Sequence, residues 1–165
     1  LAAAEARIAA LRPSPGRPAT GGSGASVTDL HRELGLLMIE VCGISRHAAG
    51  LRRGLEELGR LRQRFSEELR VSDHGPGPDQ TLEQALRLED FLGLADLMLR
   101  DALAREESCG AHFREEFQTA EGEARRDDER FAHIAAWRHR PGREPERLSE
   151  PLRYTAITPS QRSYR

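Results

Sequence analysis

The stretch DQTLEQALRLEDFLGLADLMLRDALA, residues 79–104, decides the fold class of this chain. Leu82, Leu86, Leu92, Ala95, Met98, Leu99 and Ala102 recur at helical spacing on one face, and Leu88, Phe91, Leu94 and Leu97 widen that face round much of the cylinder. Asp79 stands where a short acceptor side chain caps a first turn. A helix apolar over more than one stripe is buried against two neighbours, or against a further domain as well.

Two more helices precede it. The first starts at Ser26 or Thr28, either of which can cap it, and carries Leu30, Leu34, Leu37, Met38 and Val41 as its stripe. Gly43 suits the left-handed position that closes a helix. The second runs from about His47 to Leu69 with Leu51, Leu55, Leu58, Leu61 and Phe65 on one face. On its solvated face Arg53–Glu57, Glu56–Arg60 and Arg64–Glu68 stand four apart. Residues 72–79 (SDHGPGPD) break the chain before the third helix. Short breaks between helices of this length predict a mainly α fold, a three-helix antiparallel bundle of spectrin-repeat-like form over residues 27–107.

The flanks are of different character. Residues 1–12 are Ala-rich and helix-favouring, as in the tail of a truncated preceding element, and a chain starting at Leu1 is expected to have its native start upstream. Residues 13–26 hold Pro13, Pro15, Pro18 and a Gly/Ser run, which reads as a linker. Gly21, Gly22 and Gly24 lack the G-x-G-x-x-G spacing and follow no strand, so they are not a phosphate loop. Residues 108–165 form a mostly irregular tail with a β-hairpin expected at about 131–137 (FAHIAAW) and 152–158 (LRYTAIT). A lone hairpin is marginal in water, so it is expected to lie on the bundle or on another domain.

Composition excludes several functions. The chain has no lysine, and its 25 basic residues are all arginine. A Walker-type phosphate loop and a Schiff-base mechanism both need that lysine. A net charge of −2 with interspersed signs provides no basic stripe for nucleic acid. No apolar run is long enough to cross a membrane, and no charged-then-apolar leader is present, so membrane association is expected only through a partner. Cys42 and Cys109, the two cysteines, read as reduced thiols of a cytoplasmic protein.

The chemistry-bearing residues concentrate in REESCGAHFREEF, residues 105–117. Cys109 and His112, with Glu115 and Glu116 nearby, have the spacing of half a zinc site, but no second Cys/His pair completes it, so no metal is expected. Cys109 beside Arg105 and Arg114 is either a thiol of lowered pKa or a small residue filling a tight turn. His112 and Arg114 with Glu106, Glu107, Glu115 and Glu116 hold the ingredients of proton transfer, and equally those of a salt-bridged structural network. His31, His47, His74, His133 and His139 are scattered without pairing four apart. Trp137 and the Phe113–Phe117 pair suit a domain contact better than base stacking, since no basic groove accompanies them.

Four blocks in order, VCGISR (residues 41–46), ALAREESCGAHFREEF (102–117), RDDERFAHIAAW (126–137) and PSQRSYR (159–165), resemble the carboxy-terminal region of the succinate dehydrogenase and fumarate reductase flavoprotein family. That family carries a Val-Gly-Ile-x-Arg bend, a Glu-Ser-Arg-Gly-Ala-His-x-Arg segment, an Arg-Asp-Asp-Glu turn and an end close to Arg-Ser-Tyr. Cys109 stands where Arg is usual, as in the branch of many actinobacterial succinate dehydrogenases. The resemblance implies an intact subunit that interconverts succinate and fumarate through FAD and hands electrons to an iron–sulfur subunit. A membrane anchor subunit would be reached indirectly, with the protein peripheral on the inner face of the cell membrane. It further implies that the flavin and substrate residues lie in other segments, so this chain is expected to hold no catalytic and no cofactor-binding residue. The remaining role is docking onto the subunit's flavin-binding domain, with Arg105, Glu107, Cys109, Gly110, His112 and Arg114 as candidates. An L-aspartate oxidase carboxy-terminal domain and a free-standing helical interaction module are the alternatives, and the sequence upstream of Leu1 discriminates them.

Overall fold

A computed structural model describes residues 2–12, 25–71, 79–157, 159–161 and 163. Most of the expected linker, residues 13–24, lies outside the described residues. So do the expected break at 72–78, with His74, and Thr158, Arg162, Tyr164 and Arg165 of the terminal blocks.

Five helices and four short strands follow in the order α1 (Ala2–Leu11), α2 (Val27–Cys42), β1 (Ser45–Arg46), α3 (Ala48–Glu68), α4 (Gln80–Ala104), β2 (Phe113–Arg114), α5 (Asp128–Phe131), β3 (His133–Arg138) and β4 (Glu146–Pro151). The chain is a helical bundle with a small hairpin tail, as its apolar spacing predicts. The buried positions of α3 include Leu51, Gly54, Leu58, Leu61 and Phe65, and those of α4 include Ala85, Leu88, Leu92, Ala95, Leu99 and Ala102. Both follow the three-then-four spacing of a bundle seam.

The chain divides into two compact units. One comprises residues 1–40 and 53–96, the other residues 41–52 and 97–165. In the first, Glu33 pairs with Arg64 and Glu40 with Arg53, so α2 and α3 run antiparallel. His31 stacks on Phe91 at 5.5 Å between ring centroids, which joins α2 to α4. α1 is a fourth member of this unit. Arg7 of α1 donates to Glu89 at 2.6 Å and to Asp90 at 2.7 Å on α4, Leu11 is buried, and Val71 N–H bonds the Leu11 carbonyl at 2.8 Å.

Side chains start the helices. Ser26 Oγ accepts from Asp29 N–H at 3.0 Å and Asp79 Oδ1 from Leu82 N–H at 3.0 Å, the capping bonds expected of both residues. α3 is capped instead by His47, whose Nδ1 accepts from Gly50 N–H at 3.0 Å.

The second unit departs from expectation in its tail. Its hairpin pairs β3 antiparallel with β4, from His133 opposite Pro151 to Arg138 opposite Glu146. The second strand is therefore Glu146–Pro151, not residues 152–158, and the first begins at His133, not Phe131. Asp127 causes the later start. Its carboxylate caps α5 through Arg130 N–H at 3.1 Å and draws Phe131 into that helix. An early turn causes the other shift. Arg143 N–H bonds the Arg140 carbonyl across Pro141 and Gly142, with Gly142 at φ 67°, so the chain reverses soon after β3. The next run then closes a short loop, which costs less entropy than a long one. Gly43 is not left-handed either. The described glycines with positive φ are Gly110, Gly122 and Gly142, and the chain leaves α2 for the extended pair Ser45–Arg46.

Candidate functional site

The site grows from the end of α4, where the last carbonyls have no intrahelical partner. Arg114 supplies the donors. Its Nη1 donates to the carbonyls of Ala102 at 2.8 Å, Leu103 at 3.2 Å and Arg105 at 3.4 Å, and its side chain is 3% exposed. A guanidinium there also meets the negative end of the helix dipole. Its Nε donates to Glu116 Oε2 at 3.1 Å, and Phe117 lies under the guanidinium at 5.4 Å.

Glu116 faces the opposite kind of helix end. Its Oε1 accepts from Ala48 N–H at 2.5 Å, at the start of α3. Burial alone would raise the Glu116 carboxyl, but the Ala48 N–H, its own N–H and Arg114 outweigh it and hold the pKa below the ordinary value. One ion pair thus joins the carboxyl end of α4 to the amino end of α3.

The loop after α4 is held from both sides. Glu107, 1% exposed, accepts from Arg105 Nε at 2.8 Å and from Asp127 N–H at 2.8 Å. Arg105 Nη2 also reaches the Phe131 carbonyl at 3.2 Å. Ser108, fully buried, accepts from Arg114 N–H at 2.8 Å and donates to the Arg114 carbonyl at 3.1 Å.

Between these anchors Cys109 and His112 face each other, with N–H to carbonyl bonds of 2.8 and 3.1 Å across the two-residue turn Gly110–Ala111. Gly110 has φ 58° and no non-glycine residue among the described ones has positive φ, the signature of a II′ hairpin turn with glycine first. His112 Nε2 lies 2.9 Å from the Arg105 carbonyl, which requires the proton on Nε2. Burial depresses the His112 pKa first, aided by the charges of Arg46, Arg105 and Arg114 and opposed by the Arg105 carbonyl.

β1 completes the arrangement. It runs parallel to β2, with Phe113 N–H bonded to the Ile44 carbonyl at 3.1 Å and Glu115 N–H to the Arg46 carbonyl at 2.9 Å. Ser45 Oγ donates to Glu115 Oε1 at 2.8 Å, and Arg46 Nη2 to the Ala111 carbonyl at 3.2 Å. The terminal block joins through Gln161, which donates to the Ala124 carbonyl at 2.5 Å and accepts from Arg126 N–H at 3.3 Å. All four sequence blocks therefore meet in one unit.

The expected site residues separate on burial. Glu107 and Arg114 are consumed by partners within the chain, whereas Gly110 is exposed and Arg105, Cys109 and His112 are half-buried. Docking donors and acceptors that become buried only in a larger assembly are thus not to be sought in Glu107 and Arg114, which this fold already buries. Both cysteine thiols are free, and burial raises the Cys42 pKa against the opposing charge of Arg46. Among the described residues no group of three or more His, Cys, Asp and Glu side chains is placed to hold a metal. No helix among them is long and apolar enough to cross a membrane. Sequence reasoning missed Ser108 and Asp127 as structural partners, whereas Glu116 takes its place with Arg114 in the salt-bridged network that the sequence offered. For Ser108 and Asp127 only the cap-forming residue type gave a signal.

Over residues 31–164 the chain matches the family described as the fumarate reductase flavoprotein C-terminus. It is 32% identical over 142 residues to the fumarate reductase flavoprotein subunit of Escherichia coli, an alignment covering 86% of this chain and 23% of that protein. To the fumarate reductase flavoprotein subunit of Mycobacterium tuberculosis it is 31% identical over 140 residues, with 84% of this chain and 23% of that one covered. A solved structure of a variant Escherichia coli quinol fumarate reductase superimposes with a TM-score of 0.77 at 26% identity, covering 97% of this chain and 25% of that chain. The chain spans about a quarter of the length of these relatives.

Proposed function

We propose that this chain, which belongs to the fumarate reductase flavoprotein C-terminal family, braces the catalytic remainder of a flavoprotein subunit that interconverts succinate and fumarate. In that reading FAD, bound outside this chain, supplies the hydride chemistry, and electrons pass to an iron–sulfur subunit and onward to a membrane anchor. The protein would then lie at the inner face of the cell membrane through its partners. The described residues do not fit a dinucleotide. The parallel pair β1–β2 has two residues in each strand, and neither leads through a glycine-rich turn of G-x-G-x-x-G form into a helix. No catalytic step is therefore assigned to this chain.

The observation that carries the reading is the meeting of all four family-like blocks in one hydrogen-bonded network around Arg114, Glu107 and Ser108. Such a network shapes and stiffens a surface. Its outward tip is the Cys109–His112 turn, with Gly110 and Ala111 exposed. We assign docking onto the flavin-binding domain to this tip, with Arg105, Cys109, Gly110 and His112 at or beside the contact. Glu107 and Arg114 hold it from behind. Cys109, where the family usually has Arg, contributes no guanidinium, so charge at this surface falls to Arg105 and Arg46.

The test is expression of the subunit with and without this domain. The reading expects the truncated subunit to lose flavin and fumarate-reducing activity together, and this chain alone to purify without flavin absorbance. Stoichiometric flavin on the isolated chain, or a truncated subunit of undiminished flavin content and activity, would contradict it.

A further inference from the structure

We propose that His112 is a proton-sensitive latch: the neutral ring holds the Cys109–His112 turn against the end of α4, and protonation loosens it. This inference is independent of which surface the turn touches.

The ring's surroundings, and not its bond to the carbonyl, supply the sign. His112 Nε2–H donates to the Arg105 carbonyl at 2.9 Å, and that carbonyl already receives Arg114 Nη1 at 3.4 Å. Nδ1 makes no hydrogen bond among the described residues. A proton arriving there from solvent therefore adds a donor and a charge, and breaks no covalent bond. The charges of three arginines bear on the ring: Arg46 of β1, which donates to the neighbouring Ala111 carbonyl, Arg114 of β2, which shares the Arg105 carbonyl with the ring, and Arg105 itself. The nearby carboxylates are engaged. Glu107 holds Arg105 and Asp127 N–H, Glu116 holds Arg114 and Ala48 N–H, and Glu115 holds Ser45.

Acceptors are already scarce. Arg46 donates Nη2 to the Ala111 carbonyl at 3.2 Å and Nη1 to Cys42 Sγ at 3.7 Å, and its buried Nε has no partner. An imidazolium would be a fourth cation beside carboxylates that are already hydrogen-bonded to other donors. Burial and the three arginines, against the Arg105 carbonyl, place the folded-state pKa of His112 below the ordinary value. The folded turn thus binds fewer protons than the open one. Its stability is complete above the ordinary histidine pKa of about 6.5 and is lost as pH falls through the lower folded value.

The experiment is a pH titration of the full chain with two readouts. One is the His112 ring resonance. The other is exchange protection of the Phe113 and Glu115 amides, which bond the Ile44 and Arg46 carbonyls, normalised for intrinsic exchange. The expected result is a ring midpoint below about 6.5 and a loss of protection at both amides that follows it. His112→Gln, which keeps an amide donor but cannot titrate, removes the pH dependence. Arg46→Gln, which removes one facing charge, moves the ring midpoint upward and serves should the first variant not fold. A ring midpoint at or above the ordinary value overturns the proposal. So does protection that stays constant through the titration, or that falls equally in His112→Gln.

Discussion

At the scale of single residues, Arg114 does most to hold the site. Its guanidinium satisfies carbonyls that end α4, so removing it leaves buried acceptors without donors. Its acidic partner matters less, because Glu116 is 40% exposed and water replaces the lost ion pair. We expect Arg114→Ala to cost about 2–3 kcal/mol, from unpaired carbonyls at about 1–3 kcal/mol in all and lost packing on Phe117. Urea denaturation of the chain measures it. Arg114→Lys should recover little, since one ammonium does not reproduce a planar fork that reaches three carbonyls and a carboxylate. Gly110 gives a second residue-scale prediction. A Cβ there meets nothing within 4 Å, so Gly110→Ala carries only the positive-φ backbone cost of about 1–3 kcal/mol, read in the same denaturation.

At the scale of elements, the caps allow independent checks. Asp79→Ala and His47→Ala should each lower stability by about 1 kcal/mol, the worth of a helix cap, and double substitution should be additive because the caps start different helices. The sequence told the helices plainly, since the three-then-four spacing of Leu51, Leu58, Leu61 and Phe65 admits no other element. It also told the caps at Ser26 and Asp79. It did not tell the cap at His47, because imidazole is not among the side chains that habitually cap. On α4 it gave the width of the apolar surface and misassigned part of it. Leu88, read as flanking the main stripe, is core, whereas Met98, read as part of it, is 47% exposed, since a helix apolar nearly all round does not reveal which stripe faces inward. The expected Arg53–Glu57 and Glu56–Arg60 pairs gave way to Arg53–Glu40 and Arg60–Glu57, while Arg64–Glu68 forms at 3.5 Å. Solvated arginines choose among nearby carboxylates at little cost. β-like alternation at residues 152–158 misled because pairing is decided by the turn after β3, which local alternation does not encode.

At the scale of the whole molecule, the candidate site was legible as composition and not as arrangement. REESCGAHFREEF announced a charged cluster, but no periodicity links it to VCGISR, more than sixty residues earlier, through a two-residue parallel pairing. Nor does charge alone tell that Arg114 is buried while Arg105 is half-buried. The fold reconciles the open readings of the cluster. His112 orients a loop, the Gly110–Ala111 pair forms a tight turn beside Cys109, and the carboxylates act in a salt-bridged network. The chain spans about a quarter of its relatives' length, and under the proposed function its part in the intact subunit is support for chemistry done elsewhere. The most direct measurement compares wild-type and Arg114→Ala intact subunit for thermal midpoint, bound flavin, and fumarate reduction per bound flavin. The account predicts a lower midpoint and less flavin, with turnover per remaining flavin and KM for fumarate unchanged. A variant with full flavin and an unaltered midpoint that has lost turnover would place Arg114 in the chemistry and contradict it.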